Sequence, residues 1–199
     1  MSEPEVLSAL TVVRKTGAEP FVSSGAPLGF HLLEFWQWAA SDITSNALRG
    51  VLAEYLVAKA LGAADGVRAE WDSCDLRTET VAVEVKSAAY LQTWFQTKPS
   101  QISFDIAPKC GWDATTNVTG TVPERAANVY VFALLSHRDK PTLSPLNVDQ
   151  WRFYVLAKTV LDRAVPEQKT IGLSRLRELG ATETPYANLS AAVANCARA

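Results

Sequence analysis

Hydrophobic and polar positions along this chain change period from helical to strand-like near Gly66, and the change divides it. Before that point, residues 28–40 bring Phe30, Leu33, Phe35, Trp36 and Trp38 into an aromatic, helix-like segment. Residues 47–61 follow, apolar nearly all round, with Thr44-Ser45-Asn46 as N-cap chemistry and Gly62 as a C-cap, and they predict the strongest helix. After Gly66, residues 67–71 and 81–88 are β-rich runs separated by polar residues 77–80, the pattern of a hairpin connection. A third strand is expected over 102–107. Residues 129–135 are continuously apolar, β-branched and aromatic, as in a strand buried on both faces, and 151–156 supply another. Short helices are expected at 159–164, 174–179 and 189–197. The longest loop is expected at 108–125, and an irregular lead-in or marginal strand over residues 1–27. The economical packing is α/β, a mixed sheet flanked by helices. With 199 residues the chain fits one domain and leaves no room for two comfortable ones.

Charge and cysteine usage narrow the function classes. A net charge of −2 is not the footprint of a protein that coats nucleic acid, but an enzyme meeting phosphates through a few cations is compatible with it. Cys74, Cys110 and Cys196 are odd in number and far apart, which suggests neither a disulfide framework nor a metal knuckle. His31 and His137 are too few for a histidine-rich zinc site. The longest apolar run falls far short of a membrane span, and the N-terminus is acidic where a signal peptide would be basic. The expectation is a cytoplasmic protein without a membrane partner. Neither a G-x-S-x-G elbow nor a Walker motif occurs.

Candidate chemistry concentrates on one strand. Alternation places Val81, Val83 and Val85 on one face and Ala82, Glu84 and Lys86 on the other, so a carboxylate and an amine two residues apart point the same way. A hairpin would bring Asp75 beside Glu84. Two close carboxylates stay ionised together when a cation lies between them. Mg²⁺, with Mn²⁺ as the substitute, takes oxygen ligands and suits such a site, the carbonyl of Val85 being a further donor. Lys86 would orient or activate the attacking water, or stabilise charge in the transition state. The bland alternative is a solvated pair on an exposed sheet face. Glu54 adds to the functional case, falling on the stripe Ala47, Val51, Glu54, Ala58, Leu61 of the strongest helix. A carboxylate facing inward there calls for a metal, a water network or Lys86, unless the helix rolls and lets it pair with Lys59 or Arg49.

The series Arg49-Gly50-Val51-Leu52-Ala53-Glu54, Asp75 and Glu84-Val85-Lys86 resembles the PD-(D/E)XK nuclease superfamily, the restriction-endonuclease-like fold. The stretches Glu84-Val85-Lys86-Ser87-Ala88-Ala89-Tyr90-Leu91-Gln92-Thr93-Trp94 and Trp151-Arg152-Phe153-Tyr154-Val155-Leu156 are similar to bacterial members of unassigned function. Cys74 stands where the motif's proline would. The resemblance implies that Asp75 and Glu84 hold metal, that Lys86 is the catalytic lysine, and that Glu54 is an auxiliary carboxylate. It implies a metal-dependent endonuclease acting on DNA, with RNA left open. A nuclease scaffold that binds or assembles without catalysis is the alternative.

Further residues are candidates for holding nucleic acid. Arg49, beside the helix N-terminus, could meet a phosphate together with free backbone N–H groups. Ser87 and Gln92 (or Gln96) follow the catalytic strand. Lys98, Lys109 and Arg125 could line a groove, and Trp94, Phe95 and Trp112 either stack on bases or seal a core. Asp42 reads as a turn cap. Paired cleavage of two strands would call for a homodimer.

Overall fold

The structure, a computed structural model, describes residues 9–70, 72–113 and 116–198. Two strands, β1 (Pro20–Ser23) and β2 (Ala26–His31), form an antiparallel hairpin ahead of helix α1 (Leu32–Ala40). The expected lead-in therefore holds a hairpin, and residues 28–31 belong to its second strand rather than to the helix. Gly25, at φ 80°, turns it where a Cβ would be strained. Helix α2 (Asn46–Leu61) begins where Ser45 Oγ accepts the Leu48 N–H, and ends on Gly62 in the left-handed conformation.

The central sheet has five strands in the order β11-β9-β8-β4-β3: β3 (Leu76–Arg77), β4 (Ala82–Ala89), β8 (Val129–Leu135), β9 (Trp151–Ala157) and β11 (Thr182–Thr184). Between β4 and β8 come β5 (Ser103–Asp105), β6 (Trp112–Asp113) and β7 (Val118–Thr119). Beyond β9 lie α3 (Lys158–Ala164), β10 (Thr170–Gly172), α4 (Leu173–Glu178) and, after β11, α5 (Leu189–Ala197). Strands β4 and β8 run parallel and the other pairs in the sheet antiparallel, so the sheet is mixed, as expected.

Every residue of β8 is buried, and alternation along it feeds two cores. Val129, Val131, Ala133 and Leu135 join Val83, Val85, Phe153 and Val155 under α2 and α5. Tyr130, Phe132 and Leu134 join Ala82, Ala88, Phe104 and Tyr154 on the opposite face, beneath α3, α4 and the β5–β10 pair. Burial of each large side chain contributes roughly 1.5–3 kcal/mol, which explains why the most apolar run occupies the sheet's centre.

Three further expected elements differ. Residues 67–70 form no strand; Val67 is exposed and Arg68 is drawn to Glu54 instead, while position 71 lies outside the described residues. The strand expected at 102–107 shortens to β5 and pairs with β10 rather than joining the main sheet. The long loop at 108–125 carries the β6–β7 hairpin and a bridge between Lys109 and Glu124.

Candidate active site

Strand β3 is two residues long, and its register with β4 pairs Leu76 with Val83 and Arg77 with Ala82. One step beyond the last pair, Asp75 lies opposite Glu84. There the ladder stops, but the N–H of Val85 still donates, to Asp75 Oδ2 at 2.7 Å. A side-chain carboxylate thus replaces the acceptor that a longer strand would have offered, which fixes Asp75 against β4.

The faces of β4 divide as its alternation requires. Val83 and Val85 pack under α2, while Glu84 and Lys86 point to the other side. Lys86 Nζ meets Glu84 Oε1 at 2.5 Å, and both side chains are more than four-fifths buried. Burial pushes the Glu84 pKa up, helped by the charge of Asp75 and opposed by Lys86 and Lys109. Burial also opposes the Lys86 ammonium, but Glu84, with Asp75 and Asp105 behind it, outweighs that penalty and raises its pKa above the ordinary lysine value. Lys86 is therefore a held cation with protons to donate.

Glu54 stands elsewhere. Helix α2 is rolled so that Ala53, Leu56 and Val57 face the core, whereas Ala47 and Val51 are exposed, which displaces the expected stripe. Glu54 nonetheless faces inward as expected, its side chain 15% exposed like that of Glu84, and is bound by Arg68, Nε to Oε2 at 2.5 Å and Nη2 to Oε1 at 3.1 Å. That fork-on-fork pairing supplies the compensation expected from a metal, water or Lys86. The Glu54 hydrogen bonds raise the Arg68 pKa most, and the charges of Glu54, Asp75 and Glu70 add to it. Glu54, Arg68 and Asp75 line one cleft of about 380 Å³. Glu84 lines another, of about 740 Å³, with Lys109, Tyr130 and Lys158.

Arg49 is not at a free phosphate position but buried, 4% exposed. Its guanidinium donates to Ser87 Oγ, the Thr44 carbonyl, Gln92 Oε1 and Asn46 Oδ1, at 2.8–3.3 Å. All four acceptors are neutral, and burial lowers its pKa. Gln92 also donates to the Ala89 carbonyl and Ser100 Oγ, and its own N–H goes to Gln96 Oε1. Arg49, Ser87 and Gln92 thus form one brace on the α2 side of β4. Lys98 is exposed in the loop that follows.

Sequence reasoning missed Arg68 and Tyr130. Tyr130 is the residue paired with Glu84 across β4 and β8, and burial first, then Glu84, pushes its hydroxyl pKa far up. Nothing local announces either partner; both depend on pairing between distant segments. Arg125 is buried and clamps the Ile106 and Val165 carbonyls and Asp162, which makes it a structural tie. Trp94 and Phe95 are exposed rather than core-sealing. Asp42 caps its turn, accepting from the N–H groups of Thr44 and Ser45.

Among the described residues no three His, Cys, Asp or Glu side chains gather in a metal-holding group. Asp75 and Glu84 each keep a second oxygen outside the bonds above, so these two carboxylates are the residues that could hold a divalent cation. No described helix is long and apolar enough to cross a membrane. A family model described as bacteriophage T4 endonuclease IV matches residues 31–175, more than half of the chain and a span that includes Arg49, Glu54, Asp75, Glu84 and Lys86. No curated protein and no solved structure matches it.

Proposed function

The chain belongs to the bacteriophage T4 endonuclease IV family, a family of nucleases, and from that premise we propose that it hydrolyses DNA phosphodiesters by a divalent-metal mechanism of the PD-(D/E)XK kind. The observation that carries this reading is the placement of Asp75 opposite Glu84, with Lys86 held beside them. Asp75 Oδ1 and Glu84 Oε2 would bind Mg²⁺ or Mn²⁺, with the Val85 carbonyl as a further donor. An ion held by these residues would supply polarisation of a phosphoryl oxygen and a lowered pKa for a bound water.

The chain's own groups do the rest. Lys86, kept protonated by Glu84, orients the attacking water and stabilises developing negative charge by donation, rather than taking the water's proton. Lys98 and Lys109, both exposed, meet the phosphates of the strand. The brace of Arg49, Ser87 and Gln92 stiffens the end of β4 from behind. Glu54 serves as auxiliary carboxylate once Arg68 moves aside.

One observation favours a second reading, a binding scaffold without catalysis. Lys86 and Arg68 give Glu84 and Glu54 a cation each, which removes the repulsion that would draw in a metal. Incubation of single- and double-stranded DNA, and of RNA, with the protein in Mg²⁺ or Mn²⁺ separates the two. Cleavage by wild type, lost in Glu84→Gln and Lys86→Ala variants of unchanged circular dichroism, supports the nuclease. A wild-type protein that cuts none of these, but binds DNA, leaves the scaffold.

A further inference from the structure

Tyr130 stands beside Glu84 and is only 4% exposed, yet its hydroxyl has no hydrogen-bond partner among the described residues. A buried tyrosine hydroxyl ordinarily finds one. Every fully enclosed side-chain nitrogen or oxygen among those residues is satisfied, so the unpaired Tyr130 oxygen is not enclosed. It is the part of the side chain that opens onto the cleft of about 740 Å³, which Tyr130 and Glu84 both line. The ring behind it is held in place. Phe132 stacks on it with centroids 6.0 Å apart, and Phe104 meets Phe132 edge-on at 5.1 Å. The hydroxyl is therefore fixed in position, with its hydrogen-bonding capacity directed outward.

Register decides what it meets. Asp75 lies opposite Glu84 on the β3 side, and Tyr130 is paired with Glu84 on the β8 side, so the three stand abreast across neighbouring strands. Adjacent strands are about 4.8 Å apart, and paired residues project to the same face. A phosphate brought to Asp75 and Glu84 thus comes within reach of the Tyr130 hydroxyl. The cleft is of mixed charge: Lys109 and Lys158 line it together with Glu70 and Glu124, both exposed, so cations alone do not decide what it holds. A tyrosine hydroxyl keeps its proton throughout the neutral range, and toward a ligand's oxygen it acts as a donor.

We propose that Tyr130 is a substrate-contacting residue of the hydrolysis, donating a hydrogen bond to a non-bridging oxygen of the phosphate held at Asp75 and Glu84; this rests on the nuclease reading above. A donor already locked by its ring needs no reorganisation when charge develops on that oxygen, and it works best where water is excluded. The stacking on Phe132 and the burial of the ring supply both conditions.

Tyr130→Phe tests this, because it keeps the ring and removes only the oxygen. No hydrogen bond within the described protein is lost, so the thermal unfolding midpoint should stay at the wild-type value. Binding of a fluorescein-labelled DNA oligonucleotide, followed by anisotropy in EDTA, should weaken about fivefold or more. Single-turnover cleavage of the same oligonucleotide at saturating protein in Mg²⁺ should slow about tenfold or more. A lowered midpoint would mark Tyr130 as structural and overturn the proposal. So would a variant that cleaves at the wild-type rate, whether or not it binds more weakly, and in that case the nuclease reading stands. A wild type that cleaves no DNA in Mg²⁺ or Mn²⁺ overturns the nuclease reading, and this proposal with it.

Discussion

Asp75 accepts the backbone N–H of Val85 at 2.7 Å, one residue past the end of the β3–β4 ladder. The same carboxylate thus closes a gap in the sheet and offers its other oxygen to the site. Its two duties can be separated by substitution. Asp75→Asn keeps an acceptor for Val85 but no charge, so its unfolding midpoint in urea should stay near wild type while cleavage falls about a hundredfold or more. Asp75→Ala should lose both, with an added cost of about 1–2 kcal/mol for the stranded N–H.

Arg49 should matter to stability before anything else. Arg49→Ala strands acceptors on Asn46, Ser87 and Gln92 at once, and should cost about 3 kcal/mol in denaturant unfolding. Arg49→Lys should recover no more than about half of that, because one ammonium cannot span the directions a planar guanidinium reaches.

Much of this was legible in the pattern of the chain. The run at 129–135 coincides with β8, residues 189–197 with α5, and β4 is displaced by one residue from its expected place. Those elements announce themselves because β-branched runs and helix periods are local properties. The roll of α2 is not local. It is set by which residues β4 and α5 present to it, and although the Glu54 side chain is buried as expected, its partner Arg68 stands fourteen positions away, outside the helix. Likewise 102–107 reads as a strand, but its preference for β10 over the main sheet depends on residues 170–172, far along the chain.

Arg68 competes with any cation drawn to Glu54 and Asp75. Replacing it with Ala should tighten Mg²⁺ binding several-fold by calorimetry, since it removes a positive charge that interacts with both carboxylates. Unchanged or weaker affinity would exclude Glu54 from the metal site.

The turn that anchors α1 should depend on acid. Hydrogen bonds from the Thr16 backbone, chiefly, hold the Glu19 pKa down from 4.5 to about 2. A depressed folded pKa means the contribution is present above the ordinary value and is lost as pH falls through the folded one. Amide signals of Thr16 and Gly17 in the folded protein should therefore hold steady through the ordinary carboxylate value of 4.5 and shift with a midpoint at about pH 2. In Glu19→Gln that step should vanish.

The parallel partnership of β4 and β8 also governs how the molecule assembles. Ala82 reaches Asn128, which stands 46 positions further along the chain, and no short turn can join two parallel strands. Closure of so distant a loop is slow, because chain entropy is surrendered before the contact rewards it. Glu84 acquires Tyr130 as its neighbour only at that moment, so recovery of any activity during refolding should lag helix formation and track burial of the tyrosine ring.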